Sequence, residues 1–216
     1  MNDWHPIIQY FVSQDYVVIA PNFRGSTGFG HKFTEANRGD CGGGDLRDCV
    51  AAVDFLKETG YVDSSRVEFM GASYGGYLTL MALTKFPNLW AAGVAFAPFA
   101  NWFTALKNED PTLQVNDEWL MGHPMSNSEL WRDRSPVFFA DQIRAPLFMQ
   151  GGANDINCPA EEIQQMADAI RNKGGSVEVK IYENEGHELT RRENEIDAHS
   201  KAAKFLLKHM HKKETA

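Results

Sequence analysis

Val67-Glu68-Phe69-Met70-Gly71-Ala72-Ser73-Tyr74-Gly75-Gly76 decides how this chain must fold. Its first residues are a strand-compatible run that stops at Gly71, and a helix-compatible segment runs on from Gly75 to Lys85. Gly71-Ala72-Ser73-Tyr74-Gly75 fits the pattern G-x-S-x-G, in which a serine tops a sharp strand-to-helix turn with strained dihedrals. Small neighbours let the strand and helix backbones pass closely there. The hydroxyl then projects at the carboxyl end of a sheet, where open α/β sheets place their chemistry. The five-residue pattern alone arises by chance in about one chain in ten to twenty of this length. The strand immediately before it and the helix immediately after it give it weight.

Outward from this turn, the chain alternates. Towards the N-terminus, Asp45 to Thr59 has helical spacing, with Leu46, Val50, Val53 and Leu56 on one face and Gly60 just past its end. Before it come a short amphipathic helix at residues 4–13, a β-branched run at Tyr16 to Ala20 stopped by Pro21, and a glycine-rich loop at Gly25 to Gly30. Towards the C-terminus, Ala92 to Phe96, Pro146 to Gln150 and Val177 to Tyr182 read as strands. Pro159 to Arg171 and Asp197 to His211 read as helices. Strands alternating with helices predict a mostly parallel sheet with helices on both faces. The strands are short apolar runs, as expected when both faces are buried. The fold class is therefore α/β, and the serine turn specifies an α/β-hydrolase fold. Residues 100–145 break the rhythm with prolines and with Trp102, Trp119 and Trp131, and are expected to form a helical insertion near the site.

The 216 residues, 43% of them hydrophobic, suffice for a single domain spanning residues 1–216. A net charge of -8 with scattered basic residues argues against a nucleic-acid partner. The one basic cluster, Lys208 to Lys213, ends a helix and reads as dipole compensation. Cys41, Cys49 and Cys158 are too few and too odd in number for a disulfide framework; a Cys41–Cys49 bridge is the alternative to the simpler reading of reduced thiols. No basic-then-apolar leader and no long apolar run is present, so the expectation is a cytoplasmic protein without a membrane partner.

A serine hydroxyl needs a base, and the base needs an orienting acid. In this fold the order is serine, acid, histidine. Of seven histidines, His187 alone lies on a loop directly after the last strand; His199, His209 and His211 fall on the final helix and are expected to face solvent. Asp155 lies in Gly151-Gly152-Ala153-Asn154-Asp155, directly after the preceding strand. Glu183, Glu185 and Glu188 are near His187 in sequence and are expected to be solvated. Tyr74, following the nucleophile, offers its backbone N–H to an oxyanion. Metal-ligand spacing is absent, Gly25 to Gly30 is not followed by a phosphate-binding lysine, and no cofactor is expected.

These residues resemble a known family. Pro21-Asn22-Phe23-Arg24-Gly25-Ser26-Thr27-Gly28-Phe29-Gly30 resembles the PNxRGSxGxG signature of the prolyl oligopeptidase family. Gly71-Ala72-Ser73-Tyr74-Gly75-Gly76 is similar to its nucleophile turn, Gln150 to Asp155 to its acid loop (with Gln150 where a histidine is usual), and Glu185-Gly186-His187 to its histidine loop. The acylaminoacyl-peptidase and dipeptidyl-peptidase branch is the nearest in character. The resemblance implies that Asn157 binds a substrate carbonyl, and that Phe99, Trp102 and Tyr74 wall an apolar pocket; ordinary core is the other reading of Phe99 and Trp102.

Two departures follow from the resemblance. The family's β-propeller has no counterpart, and an exposed site would take small esters and amides more freely. The strand that precedes the first helix in the family, and supplies a second oxyanion donor, is also missing, so the sheet is expected to be N-terminally truncated. That strand would lie between Tyr16–Ala20 and Val67–Met70. Either those two strands pair directly, a partner chain or second copy fills the gap in a homo-oligomer, or the chain is a fragment that folds poorly. The function implied is a serine peptidase cleaving peptide or acyl-peptide bonds. A carboxylesterase for short acyl esters is the alternative, and an inactive or weakly active fragment that assembles with another chain is the second alternative.

Overall fold

The computed structural model describes residues 6–210. The helix expected at 4–13 appears as α1 (Pro6–Ser13), and its first two expected residues lie outside the described residues, as do His211 and the end of the basic tail. A short helix, α2 (His31–Thr34), follows the glycine-rich loop. Helix α3 (Gly44–Glu58) buries Leu46, Val53 and Leu56 of the expected stripe, with Val50 half-buried and Cys49 buried beside it, and Gly60 takes a positive φ of 76° beyond its end.

The serine turn then delivers β1 (Glu68–Ala72) into α4 (Tyr74–Lys85), and β2 (Ala92–Phe96) follows. The stretch from 100 to 145 is helical as expected: α5 (Trp102–Asn108), α6 (Pro111–Met121), α7 (Ser128–Asp133) and a 3₁₀ segment over Pro136–Gln142. Asn101 and Asp110 cap α5 and α6 with their side chains, and Pro111 occupies the first turn of α6, where its missing N–H costs nothing. The chain closes with β3 (Leu147–Gly152), α8 (Ala160–Asn172), β4 (Val177–Tyr182) and α9 (Arg192–Met210), which begins five residues earlier than its expected start at Asp197.

The strands form one parallel sheet in the order β1-β2-β3-β4. Alternate residues of β2 divide the core. Ala92 and Val94 face α1 and α9, where they pack with Phe11, Phe148, Phe205 and Leu206. Gly93 faces α4 on the other side, where an added Cβ would meet Leu83 and Thr79. That larger core joins α3, α4, α8 and the insertion. Helices thus cover both faces. Among the described residues, no helix is long and apolar enough to cross a membrane. The three cysteines are buried and unpaired.

One expected strand is not in the sheet. Tyr16 to Ala20 is extended but forms no ladder, and Val17, Val18 and Ile19 are 45%, 38% and 38% exposed. A strand is defined by its partner's hydrogen bonds, and β1 does not supply them. The direct pairing of these two segments therefore does not occur. Between them runs an apolar groove of about 1190 Å³, lined by Val17, Ile19, Val53, Phe69 and His187 among others.

Candidate active site

Parallel strands end on the same edge of a sheet, so β1, β3 and β4 bring their following loops to one place. At the end of β1, Ser73 adopts φ 56° and ψ -120°, the strained geometry that lifts its side chain clear of the turn. Its own N–H is held by the Phe96 carbonyl at 2.9 Å. The glycines around it are not equivalent. A Cβ at Gly71 would stand 2.3 Å from the Gly75 carbonyl oxygen, and one at Gly76 would stand 2.7 Å from the Phe96 carbonyl oxygen. A Cβ at Gly75 would meet nothing within 4 Å.

His187 follows β4 and Asp155 follows β3. His187 Nε2 lies 2.9 Å from Ser73 Oγ, and His187 Nδ1 lies 2.8 Å from Asp155 Oδ2. The other oxygen of Asp155 accepts the backbone N–H groups of Asn157 and Cys158, both at 2.8 Å. The carboxylate is thereby fixed on both sides, with its side chain 1% exposed against 23% for the imidazole. The hydrogen bond to Asp155 raises the His187 pKa above the ordinary histidine value, against the opposing effect of its burial. The three side chains chosen from chain order thus meet in one hydrogen-bonded line.

Tyr74 is the first residue of α4, so its N–H is one of the donors that no carbonyl of its own helix can reach. Its ring packs between Phe23 and Tyr77, and its hydroxyl donates to the buried carboxylate of Asp45. Asp45 also accepts the N–H groups of Gly42 and Leu46, and burial raises its pKa. The glycine-rich loop is pinned to α3, the helix that carries Asp45: Arg24 gives Asp48 its backbone N–H and two guanidinium N–H groups, at 2.7–2.9 Å.

Phe99 and Trp102 are 8% and 1% exposed. Phe99 stacks on Tyr77 with ring centroids 4.5 Å apart, and Trp102 stands edge-on to Phe99, Tyr77 and Trp131. Both belong to the larger core, so any wall they offer is a narrow one. Asn157 is half-buried beside the acid. Gln150 is buried in β3 and donates to the Ala198 carbonyl at 3.1 Å, tying the sheet to α9.

Two expectations about bystanders fail. Glu185 does not face solvent. It is 1% exposed and accepts the Thr190 and Arg191 N–H groups, the Thr190 hydroxyl and the Asn194 amide. Those donors, with the Asn194 bond foremost, hold its carboxyl below the usual carboxylate range. The reason is local: the turn before α9 presents free N–H groups, and the acid two residues before His187 satisfies them. Glu183 and Glu188 are exposed as expected. His199 and His209 are half-buried rather than solvated, packed against Phe96 and Phe205 at 5.5 and 4.6 Å between centroids.

Sequence reasoning also missed Glu162 and Cys158. Glu162 is 1% exposed and holds the N–H groups of Ala100 and Asn101, at 3.0 and 2.9 Å, and the Thr104 hydroxyl. It thereby fixes the loop that follows β2. The buried Cys158 thiol lies against Ser73, and burial pushes its pKa up, so it behaves as a neutral packing group. An acid in the first turn of a helix is the visible signal for Glu162; nothing in the pattern marks Cys158. Chemically, a serine, a neutral imidazole and a fixed carboxylate in this line can deprotonate the hydroxyl and return the proton to a leaving group.

A family model described as the prolyl oligopeptidase family matches residues 3–213. A dipeptidyl aminopeptidase BIII of Pseudoxanthomonas mexicana is 37% identical over 191 residues, which is 86% of this chain and 28% of that protein. The acylamino-acid-releasing enzyme of Rattus norvegicus is 28% identical over 206 residues, covering 90% of this chain and 28% of its own. The crystal structure of a puromycin hydrolase superposes with a TM-score of 0.90 at 27% identity, over 94% of this chain and 31% of that one. The chain thus spans about 28% of the length of these curated relatives.

Proposed function

The chain belongs to the prolyl oligopeptidase family, and on that premise we propose that Ser73, His187 and Asp155 hydrolyse peptide or acyl-peptide bonds through an acyl-enzyme. The observation that carries the reading is the unbroken line from Asp155 Oδ2 through His187 to Ser73 Oγ, at 2.8 and 2.9 Å, built on a strained serine turn. Ser73 Oγ attacks the acyl carbon while His187 Nε2 takes its proton. Asp155 keeps the Nδ1–H directed at itself, so Nε2 presents its lone pair. The Tyr74 N–H meets the developing oxyanion, aided by the N-terminus of α4. The protonated His187 then gives its proton to the leaving amine. A water repeats the sequence and frees the acid.

Relatives named for dipeptidyl-aminopeptidase and acylamino-acid-releasing activity support a peptide substrate. Asn157 is assigned a substrate carbonyl, and Tyr74, with the narrow exposed margin of Phe99, the side of the acyl pocket; Trp102, 1% exposed, backs Phe99 from the core. A fluorophosphonate probe tests the reading: it should label Ser73 in the wild type and not in Ser73→Ala. Folded wild-type protein that stays unlabelled would refute it. Comparing kcat/KM on short acyl esters and on aminoacyl anilides then separates peptidase from esterase preference.

A further inference from the structure

The loop that leaves β2 runs from the nucleophile to a buried acid that the proposed reaction leaves unused. Its first residues lean on the serine turn. The Phe96 carbonyl accepts the Ser73 N–H at 2.9 Å. Pro98 packs so closely on α4 that a Cβ at Gly76 would stand 3.2 Å from the Pro98 Cα. The Phe99 ring stacks on that of Tyr77, one residue further along α4, with centroids 4.5 Å apart. The last residues of the loop hang on α8. Glu162 Oε2 accepts the Ala100 and Asn101 N–H groups at 3.0 and 2.9 Å, and Glu162 Oε1 accepts the Thr104 hydroxyl from the first turn of α5. One carboxylate thus anchors the far end of a loop whose near end holds the nucleophile.

The anchor is needed because the loop is strained. Ala97 has a φ of 42°, in the left-handed region that a residue with a Cβ rarely enters. Such backbone persists only where its surroundings over-determine it. On the sheet side the Ala97 N–H donates to the Gln150 carbonyl at 2.6 Å. On the other side the two N–H groups held by Glu162 complete the restraint. Ala100 and Asn101 are both buried, so without Glu162 these donors would be left unpaired away from water, which is costly. The start of α8 is fixed in turn to the catalytic acid. Asp155 accepts the Asn157 and Cys158 N–H groups in the loop that leads into this helix, and the Glu162 N–H donates to the Pro159 carbonyl at 2.9 Å. The place of Phe99 relative to Ser73 and Asp155 is therefore set through Glu162.

We propose that Glu162 is a positioning residue that sets acyl selectivity: by holding the strained loop from Ala97 to Asn101 on α8, it fixes Phe99 as one side of the acyl pocket beside Ser73. This rests on the serine-hydrolase reading of Ser73 and on the pocket side assigned to Phe99. Glu162 touches no reacting atom. Its influence passes through the Ala100 backbone to the Phe99 ring, so it acts on which acyl group fits rather than on the proton transfers of His187.

Two esters read this selectivity, p-nitrophenyl acetate and p-nitrophenyl hexanoate. Each would be run on the wild type, Glu162→Gln, Glu162→Leu and Glu162→Asp, after subtracting the Ser73→Ala rate, with Ser73 labelling by a fluorophosphonate on the same preparations. Where turnover is slow, the burst of p-nitrophenol released on acylation gives the same ratio. We expect the wild type to favour the hexanoate by about tenfold or more in kcat/KM, since a methylene in an apolar pocket is worth that much. Glu162→Gln should keep the ratio, because its amide oxygen can take both backbone N–H groups while its amide N–H turns to the Thr104 hydroxyl. Glu162→Leu should lose most of it, having no acceptor. Glu162→Asp should lose most of it as well, because a carboxylate one methylene shorter cannot hold the loop in place, and this variant carries the test if Glu162→Leu does not fold. A role in stability alone would lower both esters alike and leave the ratio standing. That result, or equal losses of the ratio in Glu162→Gln and Glu162→Asp, would overturn the role of Glu162. Labelled wild-type protein with a ratio near one would overturn it too and spare the hydrolase reading, and this arm needs no variant. Folded but unlabelled wild-type protein would overturn both.

Discussion

Asp155 Oδ2 and His187 Nδ1 stand 2.8 Å apart although 32 residues separate them in the chain. Adjacent parallel strands β3 and β4 close that distance, pairing Gly152 with Tyr182 and releasing the two loops side by side. The loops also touch directly, since the Asn154 N–H donates to the Glu185 carbonyl. The contact raises the His187 pKa by stabilising the imidazolium. As a base, His187 must be neutral, so activity rises as pH rises through its folded pKa. The acid limb of kcat/KM should therefore have its midpoint above about 6.5. Asp155→Asn should move that midpoint down and lower kcat by about 10⁴, because an amide no longer fixes the tautomer. A pH–rate profile of both proteins checks this; an unmoved midpoint in Asp155→Asn would contradict the assignment.

The serine turn gives a contrast between two glycines of one motif. Gly71→Ala places a methyl 2.3 Å from the Gly75 carbonyl oxygen, a backbone atom that cannot step aside. It should destabilise the fold by about 1–3 kcal/mol and abolish labelling of Ser73. Gly75→Ala meets no atom within 4 Å and sits in the first turn of α4, so it should hold or raise stability by up to about 1 kcal/mol. Urea unfolding of the pair decides the matter, and equal losses would show that the close approach is not what Gly71 serves.

Glu185 should matter through His187 rather than by touching substrate. Its four accepted hydrogen bonds fix the turn from Thr190 to Asn194, which begins three residues after His187. Glu185→Ala should let that loop drift. A displacement of about 1 Å at a reacting group costs up to about 10²-fold. The loss should appear in kcat with KM little changed, and Glu185→Gln should recover part of it. A loss confined to KM would place Glu185 in substrate binding instead.

These residues also mark where sequence reading ends. Ser73, Asp155 and His187 were legible because each follows a strand, and a parallel sheet turns chain order into proximity. The Tyr16–Ala20 run was misread because β-branched composition measures fit to a half-buried sheet surface, while ladder membership depends on a neighbour. Glu185 and Glu162 were missed because a buried carboxylate looks, in sequence, like any solvated one. Only the free N–H groups that surround it in three dimensions distinguish it.

Glu68 carries a prediction about the groove beside β1. Both its carboxyl oxygens are buried without a donor in hydrogen-bonding geometry, as is the nearby Tyr16 hydroxyl. Burial pushes the Glu68 carboxyl up to about 8. The folded chain therefore keeps this proton in a range where the unfolded chain, with a glutamate pKa of about 4.3, has released it. Between those values the native state binds more protons than the unfolded state, so stability falls as pH rises. The urea midpoint should drop between pH 5 and pH 8. Glu109 and Asp117 are shifted in the same direction and contribute to the same slope. Glu68→Gln should therefore flatten the dependence without abolishing it, and should raise the midpoint at pH 8 more than at pH 5. Equal slopes in the two proteins would mean that Glu68 is already solvated in the folded chain.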